Sequence, residues 1–115
     1  MILAVAIQGA NAIDLTKKKA IRVLMVGGGS SHDFDRWYKQ EDVATLQKDG
    51  LAIVEYTSNP SEIVAKLANS DVLFLTTNQP IPDAETRNAI FEFVNKGKGL
   101  VLAHPALWYN WSDWS

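Results

Sequence analysis

Four short apolar runs divide the chain: Ala20–Val26, Leu51–Tyr56, Val72–Leu75 and Leu100–Ala103. Each is rich in Val, Ile, Leu or Phe, and the near-continuous apolarity of the first fits a parallel strand covered on both faces. Between them the apolar positions shift to helical spacing. The first such segment predicts a helix starting near Asp35, whose carboxylate would serve the free N–H groups of the first turn, running to Lys48 and stopping at Gly50. Its periodicity is weak. The second starts at Asn59-Pro60-Ser61-Glu62, places Ile63 and Leu67 on one face and closes at Asn69-Ser70. The third is capped by Asp83, carries Ile90, Phe93 and Val94, and ends with Gly97 in a left-handed C-cap.

The order β-α-β-α-β-α-β predicts an α/β domain with a parallel sheet and right-handed crossovers. A flavodoxin-like strand order of 2-1-3-4 sets the tips of strands one, three and four side by side, and ligands of such sheets bind beyond those tips. The tips carry His32, Asn78 and His104. Strands one and four lie two spacings apart, about 10 Å, so the loops must lean inward for the histidines to meet. With Leu100–Leu102 on an open edge, the domain is expected to be incomplete at its C-terminus, or to need an oligomeric partner that completes the sheet.

The first residues read differently. Met1–Ile7 is apolar and Ala10-Asn11-Ala12 has a small-x-small form, so residues 1–12 are read as the remnant of a signal peptide and the protein as exported, periplasmic or extracellular. No basic residue precedes the run, which keeps an extra strand or a wrongly chosen start codon, and a cytoplasmic protein, as the alternatives. The run is too short to span a membrane.

Composition removes several functions. With 47% hydrophobic and 21% charged residues the chain is of ordinary globular type. A net charge of −2, with Lys17-Lys18-Lys19 as the one basic run, argues against nucleic acid as a partner. The sequence has no cysteine, which excludes disulfides, thiolate metal sites and a cysteine nucleophile. Gly27-Gly28-Gly29 lacks both the sixth-position glycine of a dinucleotide turn and the lysine of a P-loop, and reads as a tight strand-to-loop turn.

The remaining chemistry lies with two histidines and the aromatic residues. His104, at a strand-to-turn junction, suits a general acid or base or a metal ligand; it equally suits a side chain tying its own turn. His32, followed by Asp33, offers either a carboxylate-oriented base or, with His104, part of a divalent-metal site. Two histidines fall short of the three or four protein ligands of zinc, and the cofactor stays open. Asp33 or Asp35 can instead cap the first helix. Trp108, Tyr109, Asn110, Trp111 and Asp113 combine flat apolar faces with polar groups, the two contacts a sugar ring needs, although aromatic residues also simply pack. Trp37 is expected to pack; it and Tyr38 are the candidates for the far wall of the site.

Taken together, Gly27-Gly28-Gly29-Ser30-Ser31-His32-Asp33, Gly97-Lys98-Gly99-Leu100-Val101-Leu102-Ala103-His104-Pro105-Ala106 and Trp108-Tyr109-Asn110-Trp111 resemble the ThuA-like (trehalose-utilisation) family. The resemblance covers about residues 20–115, roughly the first half of that family's domain. It implies a class I glutamine amidotransferase-like, flavodoxin-like layered fold and a role in carbohydrate metabolism, on trehalose or keto-sugars. The place of the amidotransferase nucleophile is taken by Ala103-His104, so glutamine hydrolysis is not expected. On this reading His104, His32 and Asp33 are the candidate catalytic residues, and Trp108, Tyr109, Asn110, Trp111 and Asn78 the candidate sugar contacts. The alternative is a non-catalytic carbohydrate-binding or assembly module of the same fold.

Overall fold

The computed structural model describes residues 18–108. β1 (Ile21–Val26) is central, paired in parallel with β2 (Ala52–Thr57) on one side and β3 (Val72–Leu75) on the other; β4 (Gly99–Leu102) joins β3. The sheet order is β2-β1-β3-β4, a flavodoxin-like topology. In register, Leu24 stands beside Leu73 and Leu73 beside Leu100. Side chains alternate between faces along a strand, so these three point to one side of the sheet and Met25, Phe74 and Val101 to the other.

The first side carries the main core. Leu24, Val26, Leu73 and Leu75 pack there against Ile63 and Leu67 of α2 (Ile63–Leu67) and Ile90 and Phe93 of α3 (Ala84–Asn95). Both helices begin where the sequence predicts. The Asn59 side chain accepts from the Ser61 N–H, and a tight turn over Pro60–Glu62 leads into α2. Asp83 accepts from both the N–H and the hydroxyl of Thr86. Beyond α3, Gly97 has φ +84°, the left-handed conformation its position demands.

On the second side a helical segment, Asp35–Asp42 continuing into α1 (Val43–Gln47), packs α1 on β2. The helix begins at the predicted place, but the cap is Asp33, whose Oδ1 accepts from the Arg36 N–H, rather than Asp35. The segment is wound more widely than an α-helix, with the Val43 N–H reaching the Tyr38 carbonyl. Phe34, Tyr38 and Val43 accordingly recur at intervals of four and five, which is why the helical periodicity is weak. A hollow of ≈ 570 Å³ lies beside α1 on this face, between Leu46, Phe74 and Val101. Trp37 corrects an expectation: it is 50% exposed, with the Arg36 guanidinium 4.6 Å over its ring, and packs in no core. Among the described residues no helix is long and apolar enough to cross a membrane. The N-terminal segment read as a signal remnant lies outside them.

Candidate functional site

The site is assembled at the C-terminal tips of β1, β3 and β4. After β1 the chain turns through Gly28 (φ +85°) and Gly29 (φ +127°), conformations that side-chain-bearing residues rarely adopt. The turn delivers Ser30 to Asp33, and His32 stands exposed at its crest. Its Nδ1 lies 2.8 Å from Ser31 Oγ. Its ring makes edge contacts with Phe34 at 6.0 Å and Tyr38 at 6.5 Å between centroids. Tyr38 thus touches His32, and neither it nor Trp37 is among the residues lining the cleft described below. Burial raises the Tyr38 pKa, helped by the Asp42 carboxylate, so the phenol stays protonated at neutral pH.

His104 comes from the other end of the cleft. The Ala103 N–H donates to the Leu75 carbonyl and carries the end of β4 along β3. A tight turn over His104–Leu107 follows, with Pro105 and Ala106 buried beneath it. His104 is left exposed above, its ring 6.1 Å from that of Trp108. The two histidines meet: their ring centroids are 5.8 Å apart, in an edge-to-face arrangement. The lean across the intervening strand that the topology requires is therefore made.

Beside the pair lies a cleft of ≈ 260 Å³ lined by Ser31, His32, Asn78, His104, Pro105 and Trp108. Its size is close to the small end of ligand pockets, about 300 Å³. Among the described residues no carboxylate lines it. Asp33 opens instead onto a neighbouring hollow of ≈ 320 Å³, together with Asp35, Tyr56 and Ser58; His32 borders both. A larger hollow of ≈ 460 Å³ near Pro60 and Ile81 holds Asp83, whose carboxylate is engaged as the cap of α3, and no histidine.

Of the candidate residues, His32, His104, Asn78 and Trp108 are brought together. Asp33 sits next to His32 in sequence, but the observed partner of the imidazole is Ser31, and one oxygen of Asp33 is held by the first helix. Asn78 is buried, and its Oδ1 accepts from the Ser30 N–H at 3.1 Å. Tyr109, Asn110, Trp111 and Asp113 lie outside the described residues. Among the described residues no group of three or more His, Asp or Glu side chains converges as metal ligands.

Sequence reasoning missed how thoroughly the tip of β3 is engaged. Thr76 Oγ1 donates to the Val26 carbonyl, Thr77 Oγ1 to the Gly28 carbonyl, and Gln79 Nε2 to the carbonyls of Gly27 and Ser58. The signal was available in Thr76-Thr77-Asn78-Gln79, four side chains able to bond carbonyls or N–H groups directly after a buried strand. No family model, curated protein or solved structure matches the chain.

Proposed function

We propose that this chain is a ThuA-like domain that handles a keto-sugar or related carbohydrate outside the cytoplasm, with His32 and His104 as an acid–base pair. The observation that carries the reading is the facing of the two imidazoles in one cleft whose rim holds the exposed indole of Trp108. A sugar ring laid against the indole presents its carbonyl and the adjacent C–H to the paired imidazoles. The neutral one accepts the carbon-bound proton, and the protonated one donates to the carbonyl oxygen as it gains charge, giving an enediol. Imidazole is the side chain whose ordinary pKa allows both forms near neutral pH.

The make-up of the cleft favours this chemistry over glycoside hydrolysis. Cleaving a glycosidic bond by the common route takes two carboxylates facing each other across the sugar. The cleft lining has none among the described residues. The same lack favours a second reading, a carbohydrate-binding module of this fold without catalysis. The ThuA-like resemblance rests on the glycine turn, the Ala103-His104-Pro105 turn and the tryptophans, and supports either.

The two readings separate in one experiment. Keto-sugars and their parent sugars are titrated into the purified chain with exchange of the α-proton for deuterium followed by NMR, for the wild type and for His104→Ala. An enzyme exchanges the proton, and H104A abolishes exchange while sugar still binds. A binding module takes up sugar without exchange in either protein. No binding of any sugar overturns both readings.

A further inference from the structure

In the sequence Asn78 reads as a sugar contact. From the structure we infer that Asn78 is a positioning residue: with Thr77 and Gln79 it forms a clamp on the glycine turn that sets where His32 meets His104. This rests on the imidazole pair being the working centre of the cleft.

β3 is the strand that separates β1 from β4, so its tip is the spacer between the two histidine loops. The His104 loop is held to it through the Ala103 N–H and the Leu75 carbonyl, at 2.9 Å. The His32 loop is held to it by side chains. Gln79 Nε2 reaches the Gly27 carbonyl at 3.2 Å and Thr77 Oγ1 the Gly28 carbonyl at 2.8 Å. Asn78 Oδ1 takes the Ser30 N–H at 3.1 Å. Successive peptide units of the turn are thus fixed against one strand tip. Asn78 makes the last of these bonds, two residues before His32.

Gly29 shows that the fit is close. A Cβ at that residue would overlap Asn78 Oδ1, so turn and amide pack without space between them. An oxygen that accepts from a backbone N–H while shielded by a glycine serves the turn. On its other side the turn is tied to the first helix, where Asp33 accepts from the Arg36 and Trp37 N–H groups; Ser31 moves with the same loop, and Phe34 and Tyr38 touch the ring at its edge.

The test reads the geometry of the histidine pair in the ligand-free chain. Edge-to-face rings at the observed separation place hydrogens of one imidazole within cross-relaxation range of the other, so the wild type gives a His32–His104 cross-peak. Asn78→Ala removes the acceptor of the Ser30 N–H and is expected to abolish that cross-peak below its melting temperature. Asn78→Asp keeps an oxygen there and is expected to retain it. Should N78A prove unfolded, Gln79→Met, which removes the bonds to Gly27 and Ser58 at similar volume, is expected to reduce the cross-peak at least twofold. A folded N78A with the wild-type cross-peak, or an undiminished cross-peak in Q79M where N78A does not fold, overturns the inference. Because no sugar is present, this result is independent of the titration above: loss of the cross-peak with no sugar binding would leave the clamp standing and remove the proposed function.

Discussion

Gly29 and Asn78 are fitted so closely that one methyl group separates the native turn from a clash: a Cβ on Gly29 would overlap Asn78 Oδ1. The backbone at Gly29 has φ +127°, which a side chain disfavours even in open space. Gly29→Ala is therefore expected to lower unfolding free energy by about 1–3 kcal/mol from backbone strain alone, and to disturb His32. Gly50→Ala is the control for strain without contact, because Gly50 also has positive φ while nothing stands within 4 Å of its Cβ direction. Chemical denaturation of both variants checks this. Equal losses would show that packing on Asn78 adds nothing.

The start of α3 makes a second expectation. Asp83 accepts from the Thr86 N–H at 2.8 Å and from its hydroxyl at 2.7 Å, and these bonds hold its pKa below the usual carboxylate value. Asp83→Ala should cost about 1 kcal/mol, the usual loss for an N-cap. Asp83→Asn, which can still accept, should recover most of it.

Within α3, burial separates two residues that helical periodicity alone places together. Ile90 is 1% exposed and packs in the main core, whereas Val94 is 38% exposed. Ile90→Ala is expected to destabilise by about 2–5 kcal/mol, and Val94→Ala by about 0.5 kcal/mol or less. Urea midpoints at constant slope would read the contrast directly.

That contrast marks how far the sequence could be read. The four strands, their order and the caps at Asn59 and Asp83 were legible because each depends on a local signal: an apolar run, a side-chain acceptor, a glycine or a proline in the right place. The meeting of His32 and His104 was legible as a possibility, since topology set their strands two apart, while the inward lean depends on bonds between residues nearly fifty positions apart. The engagement of the β3 tip was missed for the same reason. Its acceptors are mainly backbone carbonyls of the β1 turn, and carbonyls leave no trace in sequence. The first helix read poorly because its wide winding departs from the helical period. Trp37 was expected to pack because of its size, yet it stays half exposed under Arg36, a contact between neighbours that hydrophobicity does not encode.

At the opposite end of the sheet from the candidate site, Asp71 joins three strands. Its Oδ2 accepts from the Arg22 backbone N–H at 2.9 Å and from Nε at 3.2 Å; its Oδ1 accepts from Arg22 Nη2 at 3.2 Å and Lys98 Nζ at 3.1 Å. Arg22 belongs to β1, Asp71 leads into β3 and Lys98 into β4. The bonds from the Arg22 side chain, then its N–H, then Lys98, hold the Asp71 carboxyl far below the usual range. A carboxyl whose folded pKa is depressed stabilises the fold at pH above its unfolded value, about 3.9, and that contribution fades as acid titrates the folded form. Below about pH 4 the wild type should therefore lose melting temperature more steeply than Asp71→Asn, which has no such proton to take up. At pH 7 the order is reversed, with D71N the less stable. The groups are partly solvent-exposed, so salt should narrow the gap at pH 7. Melting curves from pH 7 to pH 2 for the two proteins provide the check, and parallel profiles would show that Asp71 does not carry the acid limb.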